Sequence, residues 1–111
     1  MRKITEEAYE AFKNNKNYNG GNTKVIIGNS YVFLELFGNK IARQDQNGNV
    51  EITLAGYTTR TTLDRLNAFI PLKMSKGVVY VVKRSRDTGI VELLPWNGDW
   101  AYIDDLKNGK H

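Results

Sequence analysis

The residue types best suited to chemistry crowd into Ala55–Phe69, AGYTTRTTLDRLNAF, where Tyr57, Arg60, Thr61, Arg65 and Asn67 fall at the junction of a strand and a short helix. Hydroxyls, guanidinium groups and the free N–H groups of a helix start are the donors that hold a phosphate. Helix capping competes with that reading. Thr61-Thr62-Leu63-Asp64 fits a capping box, with Asp in place of Glu, just before the apolar positions Leu63, Leu66 and Ile70. Capping by Thr61 leaves Tyr57, Arg60 and Arg65 without a role. Asn67 shares a helical face with Leu63 and Ile70, so it either satisfies a backbone group of a neighbouring strand or joins a polar pocket.

A second set is Lys83, Arg84 and Arg86, three cations at the end of a hairpin. Such a tip can straddle a nucleic-acid backbone or enter a groove. Equally, charges there keep an apolar hairpin from pairing edge to edge with its neighbours. Signals for catalysis are poor. His111 is the single histidine and the last residue, so no histidine dyad, triad or metal site is expected. The acids Glu35, Asp45 and Glu51 are scattered along strands, and no GxxxxGK[ST] loop is present. The expectation is a protein that is not an enzyme and uses neither cofactor nor metal.

The elements that must position these residues follow from rhythm. Residues 5–14 read as an amphipathic helix with Thr5 as N-cap, Glu6 and Glu7 in the first turn, and Ala8, Tyr9 and Phe12 on one face. A polar linker, residues 14–22, follows. Gly28-Asn29, Gly38-Asn39 and Asn47-Gly48-Asn49 then recur at hairpin spacing, which divides residues 23–54 into a four-stranded antiparallel meander. Val32, Leu34 and Leu36 point to the core, as do Val50, Ile52 and Leu54, with Glu51 and Thr53 opposite. The other face of the second strand carries Tyr31, Phe33 and Phe37, for which cover by the helices is expected, with a binding surface as the alternative. A helix over 62–69 ends at Pro71, and a second hairpin spans 78–94 with strands apolar on both faces, hence central or in an interface. Trp96 and Trp100 flank a tight turn and are expected to clamp the core edge, before a frayed tail over 104–111.

Composition sets the class. At 111 residues, with 41% hydrophobic and 25% charged residues, the chain is one globular domain. No apolar run nears the roughly 20 residues of a membrane-spanning helix. The opening MRKITEEAYEAF lacks the apolar centre of a signal peptide. The absence of cysteine excludes disulfides and thiolate metal sites. A net charge of +4 leans towards an anionic partner.

Four segments carry a resemblance. They are MRKIT-x-E-A-x-E-AF over Met1–Phe12, LxGNxIA over Leu36–Ala42, T-x-AGY-x-T-x-TT-x-x-RLNA over Thr53–Ala68, and W-x-GDW over Trp96–Trp100. In these the chain resembles small, largely uncharacterised proteins of tailed bacteriophages. The resemblance implies an accessory gene product acting in the cytoplasm of an infected bacterium, where such proteins bind nucleic acid or block a host protein. The relatives have a short hairpin before the closing motif, whereas Val82–Pro95 is longer here, so a function at the basic tip would belong to this branch.

Together these readings predict an α+β fold, an antiparallel sheet of about six strands with two short helices mainly on one face. The expected function is nucleic-acid binding by backbone or shape recognition. The alternative is a protein-binding inhibitor of a host enzyme or anti-phage defence complex.

Overall fold

Residues 2–109 are described by the computed structural model. They form an α+β fold whose main sheet has six antiparallel strands, as the sequence predicts. Helix α1 (Lys3–Lys13) buries Ala8 and Phe12. Its N-cap is Arg2, not Thr5, and Thr5 lies buried inside the first turn. The reason is tertiary: the Thr5 hydroxyl donates to Asp64, far along the chain, rather than to its own helix.

The stretch expected as linker contributes β1 (Tyr18–Asn19), which pairs with β2 (Thr23–Ile27). The meander continues as β3 (Val32–Leu36), β4 (Asn39–Gln44) and β5 (Val50–Ile52). Leu36 pairs with Asn39, so the tight turn is Phe37-Gly38, one residue earlier than Gly38-Asn39. A register shift at Leu34/Glu35 leaves Ile41 opposite no partner, and this bulge lets Ile41 and Ala42 both enter the core. Thr53, expected to face outward, is buried with its hydroxyl donating to the Gly98 carbonyl.

Helix α2 (Arg60–Leu66) is followed by β6 (Leu72–Ser75), β7 (Val78–Arg84) and β8 (Val91–Trp96). These three strands form a separate sheet with β7 in the centre, so the predicted hairpin gains a third strand and only one of its two strands is central. Val79 and Val81 point inward opposite Trp96 and Leu94. The main sheet closes with β9 (Ala101–Tyr102) beside β5. The tail forms α3 (Ile103–Lys107), pinned by the fully buried Leu106, and is therefore not frayed over these residues. Its final residues, His111 among them, lie outside the described part.

One cluster joins the layers: Phe12 of α1, Leu34 of β3, Ile52 of β5, Leu66 of α2, Val79 of β7 and Leu106 of α3. The helices and the second sheet thus cover one face of the main sheet and leave the other open. No helix among the described residues is long and apolar enough to cross a membrane.

Candidate functional site

The structure separates the sequence candidates into an interior set and two surface sets. Arg65 and Asn67 belong to the interior. Arg65 is 2% exposed; its Nε donates to Thr23 Oγ1 at 2.9 Å and its Nη1 to Thr5 Oγ1 at 2.8 Å and Asp64 Oδ2 at 2.7 Å. One guanidinium thus ties α1, β2 and α2 together and cannot also reach a ligand. Asn67 donates to the Leu63 carbonyl at 2.8 Å and accepts from the Leu72 N–H at 2.9 Å. It satisfies the start of β6, which is the capping-type alternative for this residue and removes it as a binding group. Among the described residues no buried side-chain nitrogen or oxygen lacks a partner. A ligand must therefore be met at the surface.

Tyr57, Arg60 and Thr61 stay together at the strand-to-helix junction. The N-cap is Thr59 rather than Thr61: its Oγ1 accepts from the Thr62 N–H at 3.2 Å and lies 3.0 Å from Thr62 Oγ1. That cap uses the Thr62 N–H and frees Thr61 from the capping role that the sequence suggests. Thr59→Ala should cost about 1 kcal/mol in urea denaturation, and Thr61→Ala much less. Equal effects would restore Thr61 as the cap. Tyr57 is 51% exposed, and Arg60 is exposed without an ion pair among the described residues.

Lys83, Arg84 and Arg86 sit on the β7–β8 ribbon, beyond the last inward-facing residue Val81. All three are exposed, and none forms an ion pair among the described residues. The tip is a defined turn, in which Ser85 N–H donates to the Ile90 carbonyl at 2.9 Å and Gly89 N–H to the Ser85 carbonyl at 3.0 Å. Ile90 stands 60% exposed beside the cations. By register Val78, Tyr80, Val82 and Arg84 share the outer face with Val91 and Leu93, and that row holds no carboxylate. Among the described residues no hydrogen bond or ion pair links the ribbon tip to Tyr57, Arg60 or Thr61.

The aromatic face of β3 is not covered by the helices, which pack on the opposite side. Cations from the sheet itself cover it instead. Lys40 lies 5.0 Å from the Phe33 ring, and Arg43 lies 5.4 Å from Tyr31 and 4.2 Å from Trp100. Arg43 also makes a two-pronged bond to Glu51, at 3.0 and 3.2 Å, which raises its pKa above the ordinary value. The same Glu51 charge raises the Tyr102 phenol. Trp100 thus serves this outer face, and only Trp96 enters the core, where its Nε1 donates to the Asp99 carbonyl at 3.1 Å. Phe37 escapes all cover, at 70% exposure.

A family model described as Kyanoviridae Gp96 protein matches residues 1–91. The chain belongs to that family of phage proteins. No curated protein and no solved structure matches it.

The Gp96 match spans α1, the meander, α2 and the ribbon tip, and it stops short of the W-x-GDW turn. Within the matched part, the opening and central motifs converge on one structural node, because Thr5 and Arg65 come from them. The closing motif is tied to the same segment: Gly98 O accepts from Leu54 N–H at 2.9 Å and Thr53 Oγ1 at 2.7 Å. Sequence reasoning missed Ile90 as a surface feature, and it placed Phe37 on the strand face rather than at the tip of a turn. Phe37 had a readable signal, an aromatic residue directly before glycine where a hairpin turn prefers Asn.

Proposed function

We propose that this Gp96-family protein is a non-enzymatic nucleic-acid-binding protein that grips the duplex backbone with the β7–β8 ribbon inside an infected bacterium. The observation that carries the reading is the trio Lys83, Arg84 and Arg86, exposed and without an ion pair among the described residues, on a two-stranded ribbon that ends in the apolar Ile90. A ribbon of two strands fits the roughly 12 Å major groove, and apolar side chains can wedge between base steps in the minor groove. Arginine and lysine at this spacing meet phosphates, which favours backbone and shape over strict sequence recognition.

Replacing Lys83, Arg84 and Arg86 together by alanine should weaken duplex binding on the order of 100-fold near 0.1 M salt, since three phosphate contacts vanish. The measurement is fluorescence anisotropy on a labelled duplex; unchanged affinity would contradict the reading. A second reading, a protein-binding inhibitor of a host enzyme or defence complex, draws on the outer face of the second sheet. There Val78, Val91 and Leu93 are each at least 40% exposed, which is unusual for a lone monomer. Leu93→Glu would abolish binding under that reading and leave the cationic trio dispensable.

A further inference from the structure

The cleft between the Phe37-Gly38 turn and the Ala55-Gly56 turn has none of the structural explanations that account for the interior motifs. It encloses about 430 Å³, within the roughly 300–1,000 Å³ range of small-ligand sites. The buried Leu36 and Ile41 form its floor, and Phe37 and Tyr57 are its two aromatic walls. Both rings are more than half exposed, and neither is paired with another ring among the described residues.

The backbone is strained to put them there. Phe37 has φ +50° and Gly38 φ +79°, the left-handed pair of a two-residue hairpin turn. That turn strongly prefers Asn-Gly, and a bulky aromatic in the left-handed region is an outlier. Ala55 and Gly56, at φ +54° and +82°, repeat the geometry just before Tyr57. The same pair of angles recurs at Lys76-Gly77, so the exposed aromatic ring on a left-handed residue is what sets Phe37 apart. Backbone outliers of that kind cluster at ligand sites.

We infer that this cleft binds an unstacked nucleobase, held between Phe37 and Tyr57, with the nucleotide's phosphate at Arg60. The lining contains no Asp, Glu, Lys, Arg or His, which suits a neutral ring rather than a charged headgroup. The Asn39 amide and the Thr61 hydroxyl line it and make no side-chain hydrogen bond among the described residues, so both are open to a base edge. An amide offers a donor and an acceptor side by side, the pattern that a base edge presents in complement. Arg60, exposed and without an ion pair among the described residues, lies in sequence between the lining Thr59 and Thr61 and supplies a cation next to the cleft. The inference does not rest on the ribbon, which meets duplex phosphates on a different element.

The test is an NMR titration of the ¹⁵N-labelled protein with the four ribonucleoside 5′-monophosphates, with ribose 5-phosphate and N-acetyltyrosinamide as comparison probes. At least one mononucleotide should shift the amides of both turns, while ribose 5-phosphate leaves them in place. Phe37→Ala and Tyr57→Ala should each weaken binding roughly 5- to 100-fold, the loss of one stacking partner. Arg60→Ala should weaken binding of the mononucleotides and leave that of the corresponding nucleosides, titrated alongside, unchanged. Phe37→Asn is the control for folding, because Asn suits the turn: it should raise Tm and weaken binding as much as Phe37→Ala does. Nucleotide binding undiminished in Phe37→Asn would overturn the inference. So would silence towards all four nucleotides, or stronger shifts with N-acetyltyrosinamide, which would make the cleft a site for a protein side chain. The duplex assay on the ribbon trio is unaffected by any of these outcomes, so the two readings fail separately.

Discussion

Arg65→Ala should destabilise the protein by about 3–5 kcal/mol, the expected cost of removing one partner from a buried ion pair. The size follows from geometry. The guanidinium is 2% exposed and makes three charge-assisted bonds, at 2.9, 2.8 and 2.7 Å, to three different elements. Its loss leaves a cavity between α1 and β2 and an uncompensated Asp64 carboxylate, 23% exposed on its side chain. Arg65→Lys should recover only part of the loss, because an ammonium lacks the planar fork that reaches Thr5 and Thr23 together. Domains of this size are stable by about 5–15 kcal/mol in total, so the alanine variant will be marginal. Urea denaturation reads the effect, and a midpoint unchanged from the parent would show that Arg65 is a solvated surface group.

Gly98→Ala should cost about 2–4 kcal/mol, from a left-handed backbone and overpacking acting together. Gly98 has φ +88°, and a Cβ there would stand 2.7 Å from Leu54 Cδ1 and 3.1 Å from Leu54 Cβ. Leu54 is buried, so it has little room to retreat. Any retreat stretches the two hydrogen bonds that the Gly98 carbonyl accepts from Leu54 and Thr53. Thermal melting followed by tryptophan emission should show a clear fall in Tm. An unchanged Tm would mean that the W-x-GDW turn is not coupled to the end of β5.

The meander was legible because its signals are local. Asn and Gly at hairpin spacing and the period-two burial of Val32, Leu34 and Leu36 need no knowledge of distant residues. The errors at Thr5 and Arg65 share one cause, a partner far away in sequence. Thr5 before two glutamates has the form of an N-cap, yet its hydroxyl is used by Asp64, 59 positions later. Arg65 has the form of a ligand-binding cation, because only the folded chain brings Thr5 and Thr23 to it. Strand β6 is short and follows Pro71, and its existence depends on pairing with β7. Helix α3 is held by the buried Leu106, with Ile103 packed against the core, and hides in a polar tail. At the candidate site, the ribbon cations were readable as charges on a turn. The Phe37–Tyr57 cleft was not, since two turns separated by β4, β5 and the loop between them build it.

The salt dependence of duplex binding tests the central claim most directly. Each neutralised phosphate releases condensed counterions, so three to five contacts from the ribbon and its surroundings should give a log–log slope of about −3 to −5. The Lys83, Arg84 and Arg86 triple alanine variant should flatten that slope by up to about 3. A slope near zero, or no binding to duplex at low salt, would contradict nucleic-acid binding by the ribbon.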